Sequence, residues 1–222
     1  MWTVLENYLP HLIRGTLTTI TLALAGGAIA VATALPLGIL LTSRNRMVRW
    51  IARCWVELFR GVSALILLFV CYYVLPLFGW PLSPFQAAAL GLGVNIGAYG
   101  ADAVRGAIES VPKGQREASI ALSMSPRLTM WRIIFPQACV MILPSLGTLQ
   151  VILLKGTALA SLIAVTELTA EANQIALVVG NRDNLYLTIL VIYFGISLLF
   201  SSAYRLSERR LSRRLHVRKV GA

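Results

Sequence analysis

Asn95, Tyr99 and Asp102 stand at offsets of four and three residues, which on a helix brings an amide, a phenol and a carboxylate to one face. Residues 61–101, just before Asp102, carry no charge at all. Lys155 and Thr157 follow a second uncharged run, 133–154. Polar groups of these kinds in apolar surroundings hold a solute, line a cavity or bind a partner, because hydrocarbon solvates them poorly. Each also has a structural reading: Asn95 joins helices, Asp102 pairs with Arg105, and Lys155 snorkels to a surface. Bond-making chemistry finds no support. There is no His-Glu-x-x-His, no Gly-x-Ser-x-Gly and no Walker A lysine. His11 and His216 stand at opposite ends of the chain. Cys54, Cys71 and Cys139 are odd in number and fit neither a disulfide framework nor a zinc site, so no metal is expected.

A second constellation lies in 117–137, the longest central tract suited to water. Pro112 suits a first helical turn, which predicts a short helix over about 112–122. Ser123-Met124-Ser125 breaks it, and Ser125 before Pro126 reads as the N-cap and first-turn proline of a second helix. An elbow between two apolar regions follows.

The elements that position these groups are set by composition. A chain of 222 residues with 57% hydrophobic and 13% charged content is far from the soluble norm of about 25% charged. It reads as a membrane protein. Residues 15–43 contain no charge, ample for one crossing of about 20 residues. Gly26, Gly27 and Gly38 within them allow close helix approach. A basic loop with Arg44, Arg46, Arg49 and Arg53 follows. The uncharged run 61–101 is too long for one span, and Pro76, Gly79, Pro81 and Pro84 place a turn in its middle. Glu57 and Arg60 pair at i, i+3. Five spans are expected near 16–42, 54–75, 85–107, 133–154 and 185–204, the fourth bent by Pro144, with the elbow in 109–132. Residues 1–14 form a polar and aromatic lead. No cleavable signal is expected, since Glu6 and Arg14 precede an apolar run too long for one.

The net charge of +11 is topological rather than a nucleic-acid signature. With five spans and the C-terminus inside, fifteen of the 20 Lys and Arg fall in inner segments: Arg44, Arg46, Arg49 and Arg53; Lys113, Arg116, Arg127 and Arg132; and the tail residues Arg205, Arg209, Arg210, Arg213, Arg214, Arg218 and Lys219. The N-terminus is then outside. Glu167 and Glu171, at i, i+4, are expected on a polar face outside the membrane, either solvated or offered to a partner. The tail, with Leu206, Leu211 and Leu215, anchors the topology or lies on anionic lipid.

The elbow resembles the cytoplasmic "EAA" loop of ABC-importer permeases. Glu117-Ala118 match, Ser119 stands for the second alanine, and Ser123 stands where glycine belongs; Ile133, Phe135 and Pro136 fall at the right spacing. Residues 59–65, 98–102, 110–115 and 155–163 resemble tracts of the polar amino-acid branch, with Gly156 in place of an Asp. The resemblance implies an all-α integral membrane protein of the ABC importer type I permease fold, one transmembrane domain over 1–222 with a coupling helix between the third and fourth spans. It implies that Glu117, Ala118, Ser123, Met124, Ser125 and Pro126 couple to an ABC ATPase dimer. Further partners are a second permease subunit, identical or paralogous, and an extracytoplasmic solute-binding protein. The chain itself has no cofactor; ATP and Mg belong to the partner ATPase. The solute is a polar amino acid or an amino-acid-like zwitterion, and 61–65 with 154–159 resemble ectoine and hydroxyectoine permeases. A five-span channel or membrane scaffold without ATPase coupling is the alternative.

Overall fold

The computed structural model describes residues 2–179 and 182–215, with side chains over 8–179 and 183–211. Every regular element among them is helical. Arg218, Lys219 and His216 lie outside the described residues, as do the side chains of Arg182, Arg213, Arg214 and Leu215.

Helix α1 (Trp2–Leu41) continues through Pro10 and Pro36. The polar and aromatic lead forms the first turns of this helix. Its Leu12 is buried against Leu168 and Ala172 of a later helix, and that packing holds the lead in register. Helix α2 (Arg46–Gly61) begins where a basic loop was expected, because Asn45 caps it by accepting from the Met47 N–H at 2.9 Å. The expected span 54–75 is not one straight helix. α2 stops at Gly61, Val62 and Ser63 are extended, and α3 (Ala64–Phe69) sets off again, the two arms meeting at 98°. A wide turn, Val70–Val74, and a tight one, Leu75–Phe78, carry α3 to Gly79, whose φ of 84° reverses the chain.

Helix α4 (Pro84–Ser110) starts with a capping box between Ser83 and Gln86 and forms the axis of the bundle. Its most extensive neighbour is α1, and the seam is made of small residues. A Cβ on Gly93 would lie 2.7 Å from Ile29 Cβ, and one on Gly97 would lie 1.8 Å from Thr33 Oγ1. From the other side, a Cβ on Gly38 would lie 2.4 Å from Val104 Cβ. The two backbones meet because side chains are missing there.

Past the elbow, the run Pro126–Ile163 is helical throughout: α6 (Pro126–Thr129), a wide turn at Met130–Ile134, α7 (Phe135–Gly156) and a tight extension, Thr157–Ile163. Pro144 sits inside α7 without interrupting it. α7 crosses α4, and α9 (Arg182–Leu215) packs along α7 and runs well past residue 204. Between them, α8 (Leu168–Val179) lies on α1.

The expectation of an outward polar face at Glu167 and Glu171 does not hold. Glu167 is fully buried and its carboxylate accepts from Thr169 N at 2.9 Å, Ala170 N at 2.8 Å and Tyr193 Oη at 2.8 Å. It satisfies the otherwise unpaired amides that open α8. Glu171 meets His11 at 3.4 Å. Both carboxylates are spent on packing α8 into the bundle.

Among the described residues three helical segments are long and apolar enough to cross a membrane, Tyr8–Leu41, Pro126–Ile163 and Asp183–Leu211, rather than the five expected; the bent α2–α3 pair reaches that length and apolarity only when its two arms are taken together. α4 is long enough, about 40 Å at 1.5 Å per residue. It is less apolar, because it carries Asn95, Asp102 and Arg105 and has five glycines, four of them turned toward its neighbours.

Candidate functional site: the broken helix and the elbow

A helix that stops inside a bundle leaves carbonyls unpaired, and in apolar surroundings each must be satisfied by protein. At the α2–α3 break this falls to α4. Asn95 Nδ2 donates to Phe59 O at 2.7 Å and to Val62 O at 3.4 Å, and Tyr99 Oη donates to Arg60 O at 3.2 Å. Asp102, one turn further, pairs with Arg60 and reaches Arg105 Nε at 3.4 Å. The Arg60 guanidinium also lies 5.1 Å from the Tyr99 ring centroid, a cation–π distance. The three residues read as one helical face do converge, and their target is the end of α2.

A cavity of about 490 Å³ opens beside the break, walled by Arg60, Ser63, Asn95 and Tyr99 on one side and Leu149 and Ile152 of α7 on the other. Arg60 Nε is buried without a hydrogen-bond partner among the described residues. The sequence paired Arg60 with Glu57, but that contact is 4.0 Å, whereas Asp102 holds Arg60 from 42 residues away. Arg60 and Ser63 are the residues that sequence reasoning passed over. An arginine beside a glycine at the very edge of the uncharged run 61–101 was the available signal.

Lys155 and Thr157 do not join this site. Thr157 is buried and its hydroxyl donates to Leu154 O of its own helix at 2.6 Å. Lys155 is exposed at the end of a separate groove of about 460 Å³ between α7 and α9, shared with Thr148, Tyr204, Arg205 and Glu208.

The elbow is built at the end of the bundle where α4 finishes. Helix α5 (Lys113–Ala121) starts after Pro112, which sits just before the helix as its N-cap rather than within its first turn. Arg116 Nη2 donates to Ile108 O at 3.5 Å, and Gln137 Nε2 meets Gln115 Oε1 at 3.5 Å, tying α5 to α4 and α7. Ser119, in the second alanine position of the motif, is buried, which is why that position must be small. α5 ends in a Schellman turn. Met124 N donates to Ser119 O at 3.0 Å, Ser123 N donates to Ile120 O at 2.8 Å, and Ser123 takes φ 56°. Serine thus occupies the left-handed position that glycine fills at least cost. Ser125 Oγ then accepts from Leu128 N at 3.3 Å and Pro126 opens α6.

Glu117, Ala118 and Ser123 are exposed. Glu117 has no hydrogen bond or ion pair among the described residues, so it does nothing for this chain's own fold. On the same elbow Ile120 is 70%, Leu122 73% and Trp131 55% exposed. The elbow is tied to α4 and α7 and leaves these apolar side chains and the Glu117 carboxylate exposed.

Residues 34–213 match the family described as binding-protein-dependent transport system inner membrane component. The chain is 37% identical over 214 residues to the probable amino-acid ABC transporter permease protein y4tF of Sinorhizobium fredii, covering 94% of this chain and 90% of that one. It is 35% identical to the L-cystine transport system permease protein TcyB of Bacillus subtilis, over 95% and 90% of the two chains. It is 32% identical to the glutamine transport system permease protein GlnP of Escherichia coli, over 95% and 97%. A crystal structure of an amino acid ABC transporter with histidines superposes with TM-score 0.85 at 32% identity, over 95% of this chain and 98% of that one. The chain therefore belongs to the binding-protein-dependent transport system inner membrane component family, as an ABC transporter permease subunit of the inner membrane that leaves ATP hydrolysis to a separate subunit.

Proposed function

We propose that this permease moves an amino acid inward through the cavity at the α2–α3 break, and that the elbow transmits the stroke of an ABC ATPase dimer to it. The observation that carries this is the exposed Glu117 with Ile120, Leu122 and Trp131 on an elbow locked to α4 and α7. A push on α5 moves the ends of both helices that wall the cavity. A second permease subunit and an extracytoplasmic solute-binding protein complete the importer. The pair y4tF and y4tG of Sinorhizobium fredii, both similar to this chain, favours a paralogous partner. ATP and Mg bind on the ATPase.

α4 is the fifth crossing, with the elbow end cytoplasmic and the N-terminus outside. Arg44, Arg46, Arg49, Arg53, Lys113, Arg116, Arg127 and Arg132 all gather at the elbow end, as the positive-inside rule requires. In a background with the native cysteines changed to serine, Leu77→Cys is expected to react with an impermeant maleimide on intact cells. Gly114→Cys should react only after permeabilisation. Labelling of Gly114→Cys on intact cells would invert the orientation and remove the elbow from the ATPase.

The cavity suits a zwitterion with an apolar or weakly polar side chain. Arg60, itself paired with Asp102, is its one cation, Ser63 offers a hydroxyl, and no acidic group lines it among the described residues. A carboxylate can accept from Arg60 while Leu149 and Ile152 cover the side chain. The relatives compared are named for amino acids, and the resemblance to ectoine permeases finds no specific support among them. Ser63→Val should raise the KM for uptake about tenfold, the loss of one hydrogen bond to a charged group, and Tyr99→Leu should raise it by freeing the Arg60 carbonyl that Tyr99 caps at the cavity wall. Lys155→Ala, in the separate groove, should lower uptake less. Unchanged KM in both cavity variants would move the solute path elsewhere.

A further inference from the structure

We propose that the outward face of the first half of α2 seats the phosphate of an anionic phospholipid. Arg46, Arg49 and Arg53 line an open groove of about 600 Å³ together with Met47 and Trp50. The face next to these arginines is committed, since Ala52 and Val56 are buried against Leu41 and Ala101. Arg49 Nη1 donates to Ser43 O at 2.8 Å, which holds its guanidinium near the turn that ends α1. No acidic side chain pairs with any of the three arginines among the described residues, and Glu57, the nearest on α2, faces Arg60.

Beside the cationic stripe lies an apolar one. Met47 is 72%, Trp50 67%, Ile51 58% and Leu58 59% exposed. The helix thus has three faces: one packed on the bundle, one positive, one apolar and uncovered. An anionic lipid matches the last two at once, phosphate to guanidinium and acyl chain to Trp50 and Ile51. The level is right as well. The uncharged stretch of α1 ends at Ser43, so Arg46 and Trp50 stand where the hydrocarbon gives way to headgroups. The proposal rests on α1 and the α2–α3 pair crossing the bilayer, and not on which leaflet faces the cytoplasm.

The test uses the permease assembled with its ATPase in vesicles symmetric in lipid, so that its outcome is independent of orientation. Quenching of Trp50, taken as the difference between the wild type and Trp50→Phe, is measured with brominated phosphatidylglycerol and brominated phosphatidylcholine. Brominated phosphatidylglycerol is expected to quench preferentially. Each of Arg46→Gln, Arg49→Gln and Arg53→Gln should lower the preference about fivefold, and high salt should erase it in the wild type. Equal quenching by both lipids would reduce the groove to ordinary bilayer contact. Quenching by neither would mean that a protein subunit covers α2. Should a variant fail to reach the membrane, the salt series decides alone: a preference insensitive to salt overturns the proposal.

Discussion

Glu117→Lys is expected to abolish solute uptake while permease abundance in the membrane stays at the wild-type level. The two halves of that result have separate causes. Glu117 is exposed and has no partner among the described residues, so within this chain the substitution is a surface change worth at most about 0.5 kcal/mol. On the proposed coupling surface the same change brings a reversed charge into a contact with a second subunit, where repulsion and desolvation cost about 2–5 kcal/mol. That corresponds to a weakening of about 30-fold to several thousandfold. Co-purification of the ATPase subunit with tagged permease, and uptake in reconstituted vesicles, read the two directly. Ser123→Gly is the contrasting variant. It places glycine at φ 56° in a turn whose hydrogen bonds are otherwise complete, and should leave uptake intact and thermal stability equal or slightly higher. Full uptake and ATPase retention in Glu117→Lys would remove the elbow from the coupling path.

Gly97→Leu is expected to remove the protein from the membrane altogether. A single added Cβ would stand 1.8 Å from Thr33 Oγ1 and 3.0 Å from Ala30 O. Thr33 Oγ1 already hydrogen-bonds Ile29 O and Ala30 O, so turning it aside breaks those contacts, and the backbone of α1 cannot yield without reopening the seam. Overpacking of a well-fitted core costs about 1–3 kcal/mol, and four extra carbons at a backbone-to-backbone contact lie at the high end or beyond. Gly106, on the same helix, has nothing within 4 Å of its would-be Cβ. Gly106→Leu should therefore express and melt like the wild type, which separates packing from any general intolerance of α4 to leucine. Thermal unfolding of detergent-solubilised protein and membrane abundance are the measurements. Normal values for Gly97→Leu would show that α1 and α4 do not meet as described.

Residue order alone determined what depends on neighbours in the chain. Uncharged runs mark the membrane segments because hydrocarbon tolerates no unpaired charge over some 20 residues. The elbow was legible because Ser125, Pro126 and the left-handed position at Ser123 act over one helical turn. The common face of Asn95, Tyr99 and Asp102 followed from helical geometry, but not what it faces. Tertiary structure decided that. α2 stops at Gly61 in a stretch read as a continuous span, and the carbonyls it leaves open are met by Asn95 and Tyr99 from 33 to 39 residues away. The same holds for Glu167, read as outward-facing from a local i, i+4 pattern, yet buried because the start of α8 needs an acceptor and Tyr193 lies across from it. Lys155, grouped with the solute residues by its place after an apolar run, is turned to another groove by the packing of α7 on α9. Contacts across helices depend on the rotation of each helix about its own axis, which is set by the small-residue seam between α1 and α4 rather than by any one segment's pattern.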